Sequence, residues 1–287
     1  MMKRASIPSL VMLVIALTFT AARPARAAGD LLFGADRSQG AFLSDDHLGL
    51  DSVWIQGEWG GPSARIVVRA PYVRVDNTGM LTFATDAPIV LGAGGPGKPP
   101  WQTEPAGESA SGLGDVLVGI RNQIMQSGKG HRPALSFEVD YKWATADKDK
   151  GLGTGEADYG AALDYTQPLS KAFQILGAVS YRWMGSPEGV HFDDRLRIEI
   201  GFGIVTAKTA WRLAGENVTP ALADVPVYDA TGAATGVTTS VSDYRVVRGE
   251  FVYRSGAGGS TRIFLLAGLN DSSPDLGFGV SFASRPQ

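Results

Sequence analysis

The chain has 287 residues, 26 Lys and Arg against 29 Asp and Glu, a net charge of −3, 37 glycines and no cysteine. That mildly acidic balance leaves no footprint for nucleic acid, and a chain without cysteine has neither disulfide staples nor thiolate-bound metal. The glycine content is high for an ordinary globular domain but suits a sheet with many turns and close-packed strands.

Lys3 and Arg4 precede an apolar run from Leu10 to Leu17 and then Ala25-Arg26-Ala27. A basic start, a short apolar stretch and an A-x-A site define a secretory signal peptide over residues 1–27. The apolar run is shorter than the roughly 20 residues a spanning helix needs. Cleavage after Ala27 leaves 28–287 as a single mature domain. It removes four cations (Lys3, Arg4, Arg23, Arg26) and no acid, taking the net charge from −3 to −7.

From there the chain reads as strands. The first, Asp30–Phe42, is weakly patterned. Val53, Ile55 and Trp59 then alternate with Trp54, Gln56 and Glu58, and Ile66, Val68, Ala70 and Tyr72 with Arg65, Val67 and Arg69. Further segments begin near Val116, Leu135, Ala157, Phe173, Leu196, Trp211, Val247, Ile263 and Leu276. The clearest is Leu135-Ser-Phe-Glu-Val-Asp-Tyr-Lys-Trp143, where every odd position is apolar and every even one polar. Strands point successive side chains to opposite faces, so each segment has one greasy and one polar face. None sustains a helical period.

Connections alternate between short and long, the longest being Asp76–Gly114 and Glu216–Ser240. Outer-membrane barrels have short periplasmic turns and longer external loops, and lipid tolerates strands only when the sheet closes. The expectation is an all-β fold: a closed antiparallel transmembrane barrel of about twelve strands, with ten to fourteen as the range. Tyr72, Tyr141, Trp143, Tyr159, Tyr165, Tyr181, Trp183, Trp211 and Tyr253 lie toward segment ends on the apolar face, where interfacial girdles form. A soluble sandwich would also alternate, but has no need for aromatics at its strand ends.

Two stretches carry a family resemblance. Ser111-Gly-Leu-Gly-Asp-Val-Leu-Val-Gly-Ile-Arg121 resembles a segment of Gram-negative outer-membrane proteins. Lys150-Gly-Leu-Gly-Thr-Gly155, with Asp158-Tyr-Gly160 and Tyr165-Thr-Gln-Pro-Leu-Ser170, resembles the outer-membrane transporter family described as "MetA-pathway of phenol degradation". The resemblance implies a porin-like barrel in the outer membrane that passes hydrophobic or aromatic compounds. Asp275, Gly277, Val280 and Phe282 resemble the C-terminal signal read by barrel-insertion machinery, although five residues follow the aromatic. The partners expected are therefore outer-membrane lipid, that machinery during assembly and a small-molecule solute.

The charges expected to line the lumen are Glu58, Arg65, Arg69, Arg121, Glu138, Asp140, Lys142, Asp158, Asp164, Arg182, Arg195, Arg197, Glu199, Arg248 and Glu250. They fit a polar channel with a transverse field. They also fit a narrow barrel filled by salt bridges, with no solute path. Ile89, Val90, Leu91 and Trp101, in the longest connection, are apolar groups in need of cover and are read as a lid or constriction. Gly151-Leu-Gly-Thr-Gly155 lacks the Lys-Ser/Thr ending of a phosphate loop and precedes a strand; it is read as a tight external turn with Asp147, Asp149 and Glu156 in solvent. No metal or cofactor is implied, and His47, His131 and His191 fall in loops or turns. A lipid hydrolase of twelve-strand type needs a serine within reach of a histidine, and no His-x-Ser-Asn-Gly motif occurs. The chain is therefore read as a non-enzymatic channel, with a structural barrel or a barrel hydrolase as the alternatives.

Overall fold

The structure, a computed structural model, describes residues 28–40, 48–61, 63–76, 80–81, 89–90, 109–126, 131–187, 191–221, 224–228, 234–240, 243–255 and 259–284. The expected signal peptide, His47, Leu91 and Trp101 lie outside them.

Twelve antiparallel strands form one closed sheet. In chain order they are β1 Ala28–Gly40, β2 Leu48–Gly60, β3 Ala64–Asp76, and β4 in two pieces, Ala110–Leu113 and Val116–Met125. Next come β5 Ala134–Trp143, β6 Asp158–Pro168, β7 Phe173–Trp183 and β8 Arg195–Val205. The last four are β9 Thr209–Val218, β10 Tyr244–Arg254, β11 Ser260–Gly268 and β12 Leu276–Ser284. Each pairs with its chain neighbours, and β12 returns to β1 with Phe282 opposite Phe33. Closure leaves no unpaired edge, the one sheet arrangement lipid permits. Two small hairpins occupy long connections: Met80–Leu81 with Ile89–Val90, and Asp224–Tyr228 with Ala234–Ser240.

The alternation settles which face is which. Ile55, Tyr72, Ile200, Trp211, Leu265 and Phe278 are exposed on the outer face, while their strand neighbours Gln56, Val73, Ala210 and Leu266 are buried. Aromatic contacts gather in two bands. At the long-connection end Tyr141 meets Trp143 at 5.9 Å and Tyr159 at 5.2 Å, and Tyr181 meets Trp183 at 5.0 Å. At the short-turn end Phe173 lies 6.0 Å from Phe202, and Trp211 4.5 Å from Phe251. Aromatic pairs at such separations add to their burial, and amphipathic rings suit a membrane–water boundary.

β4 carries the main irregularity. Tyr72 faces Leu113 while Arg69 faces Leu117, so the two residues between on β3 oppose three on β4. The extra residue makes a bulge at Gly114-Asp115, held by the Gly114 amide donating to the Pro71 carbonyl at 2.9 Å. A bulge reverses the phase of a strand. Ala110 points inward before it and Leu117 after it, and Asp115 is buried at the break.

Candidate functional site

The inner wall is built from the polar positions of the alternation, and its charges form clusters. At the short-turn end Arg65 bridges Asp30 and Glu58, each at 3.1 Å. Arg121 lies 3.5 Å from Glu58 and 2.7 Å from Glu138. Higher up, Arg182 pairs with Asp140 at 3.0 Å across β6, where Gly160 intervenes. A side chain at Gly160 would occupy the space of the Asp140 carboxylate. Around β8–β11, Arg197 meets Glu199 at 2.6 Å and Glu216 at 3.0 Å, and Arg248 lies 3.7 Å from Glu216. Glu250 is shared by Arg212 at 3.2 Å and Arg262 at 3.7 Å. Apart from the largely buried Arg182–Asp140 pair, these arginines are partly exposed, and such pairs are worth only about 0–1 kcal/mol each, so their effect is to keep a polar interior satisfied more than to stabilise it.

The remaining sequence-selected charges are placed individually. Arg69 lies over the Trp54 ring, 4.3 Å from its centroid, and Trp54 donates through Nε1 to Asp36 at 3.2 Å. Buried Arg195 donates to the Thr219 carbonyl at 3.3 Å, and exposed Asp164 accepts from Ser136 at 3.4 Å.

At the long-connection end the Lys142 ammonium sits 2.9 Å from Asp115 and 2.8 Å from Asp158, with all three side chains nearly fully buried. Sequence reading named Lys142 and Asp158 but missed Asp115, which shares the inward parity of Leu117 and Arg121 but lies just ahead of the segment read from Val116. Also missed were Asp30 and Asp36 on weakly patterned β1, together with Arg212, Glu216 and Arg262. Arg212 stands opposite Trp211 in the alternation, which was signal enough to include it.

The 144–157 connection departs from its expected form. Gly151 to Thr154 are buried, and Leu152, 1% exposed, packs against Leu50, Val73, Val75 and Ala110 on the inner faces of β2, β3 and β4. The segment therefore folds into the mouth instead of projecting as an external turn. Three hydrogen bonds sew it to the bulge: Ala146 N–H to Asp115 at 2.9 Å, Val116 N–H to Thr145 at 2.9 Å, and the Thr145 hydroxyl to the Gly114 carbonyl at 3.0 Å. The reversal needs left-handed backbone at Gly151 (φ 70°) and Gly155 (φ 74°), which only glycine adopts freely. Of the charges read as solvated, Asp147 is exposed and pairs with Lys150 at 3.2 Å, whereas Glu156 is half-buried. Ile89 and Val90, read as part of a lid, pair antiparallel with Met80–Leu81 in the small hairpin.

A closed twelve-strand barrel with this exterior invites comparison with known proteins. The family model described as "Putative MetA-pathway of phenol degradation" matches residues 45–254. The chain belongs to this family. Among solved structures, an outer membrane channel from Pseudomonas putida F1 superposes with a TM-score of 0.65 at 11% identity, covering 92% of this chain and 97% of that one. The NanC porin gives 0.48 at 7% identity, covering 90% of this chain and 100% of its own. The likeness to the first is one of fold, that of an outer-membrane barrel. A comparison with curated proteins finds no match. For a member of the phenol-degradation family, the bulge, the buried Lys142 and the infolded loop together define the mouth of the barrel.

Proposed function

We propose that the chain is an outer-membrane channel for small aromatic or otherwise apolar compounds, with its long connections outside the cell and its short turns in the periplasm. The observation that carries this reading is how the interior charges are satisfied. Each ion pair named above joins strands no more than two apart, whereas the opposite wall of a twelve-strand barrel lies six strands away. These strand-to-strand pairs compensate charge along the wall, which supports a solute path, whereas a barrel sealed by salt bridges would need partners meeting across the lumen. Twelve strands also fall between filled eight-strand barrels and open sixteen-strand ones.

The apolar exterior with two aromatic bands supports contact with outer-membrane lipid. The family description, which refers to phenol degradation, supports small aromatic solutes. Export by a cleaved signal peptide over 1–27 and insertion by barrel-assembly machinery complete the reading. The fifteen charges selected from the sequence serve as the lumen lining, the infolded 144–157 loop narrows the mouth, and the apolar segment at 88–101 is a second cover. Lipid hydrolysis is the less favoured alternative, because the sequence carries no His-x-Ser-Asn-Gly motif.

The test is reconstitution of the mature chain in planar bilayers and liposomes. A channel gives discrete conductance and admits small aromatic solutes, and shortening the 144–157 loop increases both. A barrel that stays silent with the loop shortened, or a mature chain that fractionates with the soluble periplasm, would reject the proposal.

A further inference from the structure

The interior is balanced in charge along its wall but not in what it shows to a solute. Arginine side chains are longer than carboxylates and extend past them. Glu250 is 10% exposed while its partners Arg212 and Arg262 are 36% and 49% exposed, and Glu216 is 7% exposed beneath Arg248 at 34%. The same order holds at the other wall, where Arg65 and Arg121 stand over Glu58. The surface presented to the lumen is therefore guanidinium, with the compensating carboxylates underneath.

One place adds a ring to that surface. Arg212, Glu250, Phe264 and Gly279 face one another in register across β9 to β12. Phe264 lies flat against the wall because Gly279 has no side chain; a Cβ there would meet the ring carbons. Arg248 sits over that ring, 5.3 Å from its centroid, one inward position toward the long-connection end. Arg262 precedes Phe264 by one inward position on β11. Glu250 is shared by Arg212 and Arg262, Arg248 pairs with Glu216, and Asp36 stands opposite Gly279 in the same row, so the patch is compensated in charge while its guanidinium groups remain the more exposed partners.

We propose that Phe264 with Arg212, Arg248 and Arg262 forms a docking site for aromatic carboxylates on their way through the barrel. A guanidinium plane that already faces one ring offers its other side to a second, and its edge donates to a carboxylate in forked geometry. A neutral aromatic uses only the ring contact, and a saturated carboxylate only the charge. The site rests on the channel reading for its role but not for its existence, since binding can be measured in a barrel that passes no current.

The experiment is calorimetric titration of the detergent-solubilised mature chain with benzoate, cyclohexanecarboxylate and benzyl alcohol, run beside the conductance measurement. Benzoate should bind at least about twofold more tightly than cyclohexanecarboxylate, the scale of one exposed cation–π contact. Benzyl alcohol should bind more weakly than benzoate. Phe264→Leu, which keeps apolar bulk, should erase the difference between the two carboxylates. Arg262→Gln, at an exposed position, should weaken both carboxylates alike and leave benzyl alcohol unchanged. Equal binding of the two carboxylates by the unaltered protein, or a preference that survives Phe264→Leu, would overturn the site. Benzoate binding without conductance would reject the channel and leave the site standing; conductance without that preference would do the reverse.

Discussion

Replacing Lys142 by Met tests whether the mouth is held by its buried charges. The ammonium lies within 2.9 Å of Asp115 and 2.8 Å of Asp158, and the three side chains are 3%, 3% and 0% exposed. Removing one partner from a buried ion pair costs about 3–5 kcal/mol, because the remaining charge is left without compensation. Here two carboxylates would be left. Each keeps one backbone donor, the Ala146 amide for Asp115 and the Gly185 amide for Asp158, both at 2.9 Å. Those bonds offset about 1 kcal/mol of the loss, and the flexible Met side chain fills most of the space of the lysine stem. The expected net cost is about 3 kcal/mol, roughly a hundredfold in the unfolding equilibrium. Urea unfolding of the barrel in liposomes, followed by tryptophan fluorescence, reads this directly. The combined Asp115→Asn, Lys142→Met, Asp158→Asn variant removes all three charges and should regain most of the stability, since neutral replacement of buried ions is often close to costless. A Lys142→Met barrel within about 0.5 kcal/mol of the parent, below the few kcal/mol typical of a broken buried pair, would refute the reasoning. So would a triple variant no more stable than the single one.

Leu152→Ala deletes the apolar anchor of the infolded loop at a cost of about 2–5 kcal/mol; hydrogen exchange over 148–155 should rise and single-channel openings lengthen, with the strands unchanged. Ile200 is 68% exposed at the middle of β8, so Ile200→Arg should be nearly neutral in a soluble sheet but cost about 2–4 kcal/mol at a bilayer midplane. Liposome unfolding separates the two outcomes, and a neutral result counts against a lipid-facing exterior. Gly160→Val would displace the Asp140 carboxylate and break its pair with Arg182, with an overpacking cost of about 1–3 kcal/mol. A lowered urea midpoint checks it, and an unchanged one would mean that the wall yields there.

The strand pattern was legible in the sequence because a barrel in a membrane has solvents of opposite character on its two faces. Eleven segments such as Leu135–Trp143 show that difference directly, and loop-length alternation supplied the twelfth, observed as Ala28–Gly40. The expectation of which residues face inward followed from the same period. What those residues touch did not, because contact depends on strand register and on side-chain reach across neighbours. Arg182 meets Asp140 over Gly160 from two strands away, and no spacing along the chain encodes that. Asp115 was hidden because it sits just ahead of the segment that begins at Val116, at the bulge, and only the fold brings its carboxylate to Lys142. The infolded loop was hidden for a related reason. Gly151-Leu-Gly-Thr-Gly155 has the composition of an exposed turn, and only the apolar hollow formed by Leu50, Val73, Val75 and Ala110 draws Leu152 inside. The sequence alone pointed to the closed sheet and the solvent on each face, since local alternation, aromatic strand ends and alternating loop lengths together favour a barrel over a sandwich. The charge clusters, the latched mouth and the guanidinium surface over Phe264 were decided by tertiary structure, since they arise where distant strands and a returning loop are brought together.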